Sequence, residues 1–92
     1  MTPNAAEAMA LQALGWIAQQ DDLMGVFLGT TGSSLDEVRA QATEPAFLGS
    51  VMDFLLMDDA WVTGFCDANQ LDYRQPMMAR QQLPGGDLPN WT

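Results

Sequence analysis

Residues 45–66 read PAFLGSVMDFLLMDDAWVTGFC, the densest apolar run in the chain. At the helical advance of about 100° per residue, Phe47, Leu48, Val51, Met52, Phe54, Leu55 and Leu56 share one broad arc. Only a narrow strip through Gly49, Ser50 and Asp53 is left for solvent. A helix apolar over more than half its circumference packs on several sides, so the spacing predicts the central helix of a small bundle over about 44–57. FLLM also fits a short buried strand on periodicity alone. Thr43 as an N-cap hydroxyl, and Pro45 in a first turn where its missing N–H is not needed, favour the helix.

Downstream, Asp58 and Asp59 interrupt the apolar run and can cap a further helix with the stripe Trp61, Val62, Phe65 and Cys66. A connection so short predicts that these two helices pack as neighbours. Upstream, Ser34 to Glu37 has the S-x-x-E form of a capping box, in which Glu37 reaches back to the Ser34 amide. It opens a short helix with Leu35 and Val38, and Ala42 at its end, turned inward. Before it, Asp21 or Asp22 can cap a helix through Leu23, Met24, Val26, Phe27 and Leu28, which Gly32 ends in a left-handed conformation.

The first helix is expected over Met1–Gln20, capped by Thr2 or Asn4, with Ala6, Met9, Ala10, Ala13, Leu14, Trp16 and Ile17 inward. Its many alanines allow another helix to come close. Asn69–Asp72 reads as a turn, followed by a last short helix from about Tyr73 to Gln82 whose start is complicated by Pro76. The fold class predicted is all-α, a compact bundle of five to six short helices around the helix at about 44–57. One domain is expected over 1–83, with a flexible C-terminal tail over 84–92, LPGGDLPNWT being rich in turn formers from Leu83 onward.

Ninety-two residues make one domain, with an expected radius of gyration of about 12 Å. Twelve acids stand against three arginines (Arg39, Arg74, Arg80), with no lysine or histidine, for a net charge of −9. Such a surface repels phosphates, so no nucleic-acid partner is expected. The acidity serves solubility, or it meets a basic partner. The lone Cys66 excludes an internal disulfide, and it is expected to be a small buried hydrophobe. The N-terminal residues lack a basic n-region and no run approaches the ~20 apolar residues of a membrane span, so a cytoplasmic protein with no membrane association is expected.

Without histidine or lysine there is no Ser-His or Cys-His nucleophile pair, no Schiff-base lysine and no P-loop lysine. No enzyme activity, catalytic residue, cofactor or metal site is therefore expected. The stretch from Asp67 begins like a calcium loop but places Leu71 at position five, Asp72 at the obligatory glycine and Met78 at position twelve. A helix-turn-helix reading of residues 23–42 fails on charge, because LDEVRAQA presents two acids before its only arginine. Two readings from different classes remain. The favoured one is a non-enzymatic, acidic helical interaction module that binds a protein partner or itself. Its candidate surface is Met57, Met77, Met78 and Trp91, large apolar residues not assigned to a core stripe. The alternative is a small-molecule or metal-binding carboxylate site built on Asp53, Asp58 and Asp59.

The pieces EAMALQALGW (7–16), FLGTTG (27–32), the S-x-x-E helix start, EPAFLGSVMDFLL (44–56) with its following acidic pair, and LPGGD (83–87) occur here in one order. In that order the chain resembles the bacterial family known as domain of unknown function 3572, over roughly residues 5–87. The resemblance implies a small all-helical cytoplasmic protein, of a kind typical of alphaproteobacteria, with no established activity. It supplies no catalytic residues. The matching positions are mostly packing and capping residues.

Overall fold

The chain enters its first helix at Thr2, whose hydroxyl accepts a hydrogen bond from the Ala5 amide at 3.1 Å, with Pro3 following in the first turn. A computed structural model describes residues 1–85. Its elements are α1 (Pro3–Gln19), α2 (Leu23–Thr31), α3 (Leu35–Gln41), α4 (Pro45–Leu55), α5 (Asp59–Asn69) and α6 (Gln75–Gln81), with no strand among the described residues. The FLLM segment is therefore helical. The radius of gyration is 12.5 Å, as expected for a compact chain of this length. Among the described residues, no helix is long and apolar enough to cross a membrane.

Two helices share the centre. α4 buries Phe47, Leu48, Val51, Met52, Phe54 and Leu55, leaving Leu56 half-buried. α1 buries Ala6, Met9, Ala10, Ala13, Leu14 and Ile17 and packs against α2, α4 and α6. Its small side chains admit those three neighbours, so α1 is as much a hub as α4. An aromatic chain ties the periphery to this pair. Trp61 on α5 stacks on Phe54 with ring centroids 4.7 Å apart, and Phe54 meets Phe27 of α2 edge-on at 5.2 Å. Phe27 in turn meets Phe47 edge-on at 6.0 Å. On the other side Trp16 meets Phe65 of α5 edge-on at 6.2 Å, over Gly64, where a Cβ would lie 2.8 Å from the indole.

Local signals set the boundaries where side chains could act alone. The Ser34–Glu37 capping box forms, with bonds of 3.0 and 3.2 Å, and Gly32 ends α2 at φ +70°. Asp58 caps α5 through the Ala60 amide at 2.8 Å. Two expected caps are corrected. Asp22 occupies the N-cap position of α2 in the left-handed region (φ 62°) and makes no side-chain cap bond, because the three residues between α1 and α2 must reverse the chain. Thr43 does not cap α4. The Glu44 amide bonds to the Gln41 carbonyl at 2.9 Å, so Thr43 sits inside a tight turn and Glu44 takes the cap position without a side-chain bond.

Two inward assignments are also corrected. Val26 and Leu35 are 47% and 45% exposed, because α2 and the seven-residue α3 touch the core mainly through Leu23 and Phe27 and through Val38.

The largest correction concerns the strip of α4 expected to face solvent. Gly49 is buried, and the Arg80 side chain lies across the strip, only 13% exposed. Its Nε donates to Asp53 Oδ1 at 2.5 Å and Nη2 to Asp53 Oδ2 at 3.0 Å, while Nη1 donates to the Pro84 carbonyl at 2.9 Å. A Cβ at position 49 would stand 3.0 Å from that carbonyl and 3.1 Å from Arg80 Nη1, so the arrangement requires glycine's missing side chain. Leu83 is buried and Pro84 is held by this contact. Of the anticipated tail, residues 86–92 lie outside the described residues.

Gly49→Leu is expected to overpack this contact and lower the unfolding free energy by about 1–3 kcal/mol in urea denaturation. In a double-mutant cycle, Asp53→Ala and Arg80→Ala are expected to couple by about 1–2 kcal/mol. Additive single effects would mean that the two side chains do not support one another.

Candidate functional site

A hydrogen-bonded turn over residues 70–74 joins α5 to α6. α5 stops at Gln70, left-handed at φ 55°, and the Leu71 amide returns to the Cys66 carbonyl at 2.9 Å. Asp72 then ties the turn. Its Oδ1 accepts from the Arg74 amide (2.8 Å) and from Arg74 Nε (3.1 Å), and its Oδ2 accepts from Arg74 Nη2 (3.2 Å). In return the Asp72 amide donates to Gln75 Oε1 at 3.1 Å. The Tyr73 hydroxyl donates to Asp67 Oδ1 at 2.6 Å, closing the turn onto α5.

From this turn α6 runs with Pro76 and Ala79 buried, and Leu83 beyond it is buried as well. With those residues facing the core at helical spacing, Met77 and Met78 must face outward, and they are 51% and 44% exposed. Together with Tyr73 (56% exposed), Asp72, Arg74 and Gln75 they line an open groove of about 630 Å³. Met and Tyr supply apolar contact area that adapts to a partner, and the polar turn residues fix the edge.

Of the surface anticipated from the sequence, Met77 and Met78 thus lie side by side in one groove. Met57, in the turn between α4 and α5, is 65% exposed but is not part of the lining. Trp91 lies outside the described residues. Tyr73, Arg74 and Gln75 were not anticipated as site residues. Their available signal was Asp72 followed three positions later by Gln75, which is a helix-start pattern.

The carboxylates of the alternative reading do not converge. Asp53 is bound by Arg80, Asp58 caps α5, and Asp59 is an exposed first-turn acid. Among the described residues, no group of three or more His, Cys, Asp or Glu could hold a metal ion. The metal-binding half of that reading is corrected accordingly: residues close in sequence serve different tasks, Asp53 in a long-range ion pair and Asp58 at a helix start.

The charges around the turn perturb one another. Hydrogen bonds from the Arg74 side chain hold the Asp72 carboxyl below the usual carboxylate range. The hydrogen bond to Asp67 pushes the Tyr73 phenol up. Cys66 lies beneath the turn, fully buried, with its thiol 3.7 Å from the Asp72 carbonyl. Burial, aided by the nearby charges of Asp67 and Asp72, pushes the thiol up and keeps it protonated.

Residues 3–86 match the model of a family described as "Protein of unknown function (DUF3572)". No curated protein and no solved structure matches the chain.

Because the folded state holds the Cys66 thiol protonated, its contribution to stability is complete below the ordinary thiol range. It is lost as pH rises above about 8.5, where the unfolded chain ionises first. Urea denaturation between about pH 7.5 and 9.5 is expected to show that decline, and Cys66→Ala to flatten it. A thiol reagent is expected to label Cys66 at the rate of unfolding.

Proposed function

We propose that this chain, which belongs to the DUF3572 family, is a non-enzymatic interaction module that binds a protein partner through the groove on α6. One observation carries the reading: Tyr73, Met77 and Met78, three large and half-exposed side chains, line a single concavity on a well-tied turn. An exposed cluster of this kind fits a contact surface better than it fits solvent. The residue inventory supports a role without catalysis. No histidine or lysine is present, and the one cysteine is buried with its thiol held protonated. A cytoplasmic setting belongs to this reading, since a lone cysteine suits a reducing compartment.

The test is affinity capture from native cytosol with the chain and with its Met77→Ser/Met78→Ser variant. Both positions are exposed, so the variant is expected to unfold within about 0.5 kcal/mol of the parent. The expected result is a protein retained by the parent and by Met57→Ser but lost with the double variant. Identical sets of captured proteins would remove the groove from consideration.

A further inference from the structure

Resting on that reading, the charge distribution narrows the chemistry of the partner. The chain carries twelve acids and three arginines. Each arginine has an acid within ion-pair distance: Arg80 is hydrogen-bonded to Asp53 at 2.5 Å and Arg74 to Asp72 at 3.1 Å, while Arg39 and Asp36 lie 3.8 Å apart in solvent. Every positive side chain is thus matched by one carboxylate, and the net charge of −9 is an excess with no internal counterpart. Within the groove lining Asp72 and Arg74 balance, and Asp67, bonded to the Tyr73 hydroxyl beside the groove, adds one carboxylate that no arginine pairs. The apolar part of the lining is formed by Met77, Met78 and Tyr73.

We infer that the occupant of the α6 groove is a cationic amphipathic segment of another protein, an apolar helical stripe flanked by Lys or Arg. The apolar stripe covers the methionines and the tyrosine ring, as in other helix-in-groove contacts. The flanking cations meet the acid excess, which also steers their approach. A second copy of the chain is disfavoured by the same charge, because two chains of net charge −9 repel one another as they approach.

Two synthetic helical peptides of about 16 residues, long enough to form a helix on binding, serve as probes. They share one leucine stripe and differ only in a polar face of Lys or of Glu. Each is titrated into protein labelled at the methionine methyl groups. The Lys peptide is expected to shift the Met77 and Met78 methyls while leaving the buried Met52 in place. Its affinity is expected to fall roughly tenfold in Met77→Ser/Met78→Ser, and several-fold at about 0.5 M salt. The Glu peptide is expected to bind at least about tenfold more weakly.

Equal affinity for the two peptides would overturn the cationic partner while leaving the groove as an interface. Lys-peptide binding that ignores the methionine substitutions would overturn it too, as unlocalised attraction. So would a dimer that the double variant dissolves, or movement of the Met77 and Met78 methyls on removing residues 86–92, since either names another occupant. An unchanged capture profile in the double variant is the separate result that would remove the interface itself.

Discussion

Arg80 lies across α4 because position 49 has no side chain, and that contact fixes the end of α6 to α4 while α1 packs on the rest of the helix. The guanidinium grips Asp53 with two hydrogen bonds and the Pro84 carbonyl with a third, at 87% burial of the side chain. A charge this far from water must be paired and fully hydrogen-bonded to be tolerated. The pairing therefore specifies one rotation of α6 about its axis. With Pro76, Ala79 and Leu83 turned to the core in that rotation, Met77 and Met78 have only the outer face. The candidate interface is in this sense a consequence of how the last helix is anchored.

The opposite end of α6 is tied by a different device. Asp72, Arg74 and Gln75 exchange hydrogen bonds within four residues, and Tyr73 reaches back to Asp67 on α5. A groove held between two anchored ends is pre-organised, and a partner that enters it has little ordering left to impose. The aromatic chain from Trp61 through Phe54 and Phe27 to Phe47 performs the corresponding task in the core. It couples α5 and α2 to α4 through ring contacts.

The chemistry available to the chain points the same way. Three arginines, each beside an acid, against twelve acids leave a surface with a large negative excess. The groove adds an apolar patch to that field, and the two together describe a partner better than either does alone. The carboxylates that could have suggested a reactive centre are instead distributed among a cap, an ion pair and an exposed first turn.

The sequence by itself determined the helical class, most of the buried residues and the boundaries controlled by near neighbours. The Ser34–Glu37 box, the Gly32 stop, the Asp58 cap and the inward arcs of α1 and α4 all rest on interactions within one or two turns. The outward position of Met77 and Met78 was legible because no core stripe claimed them. Only the tertiary structure decided the rest. Gly49 looked solvent-facing because its burial comes from Arg80 and Pro84, more than thirty residues away. Asp53 looked unpartnered for the same reason. Val26 and Leu35 looked inward because an apolar residue beside a stripe is indistinguishable by spacing from one on it, and only the position of neighbouring helices leaves it dry or wet. Periodicity can say which face of a helix is apolar. Which residues meet across that face depends on contacts between segments distant in the chain, and those are made only when the helices pack.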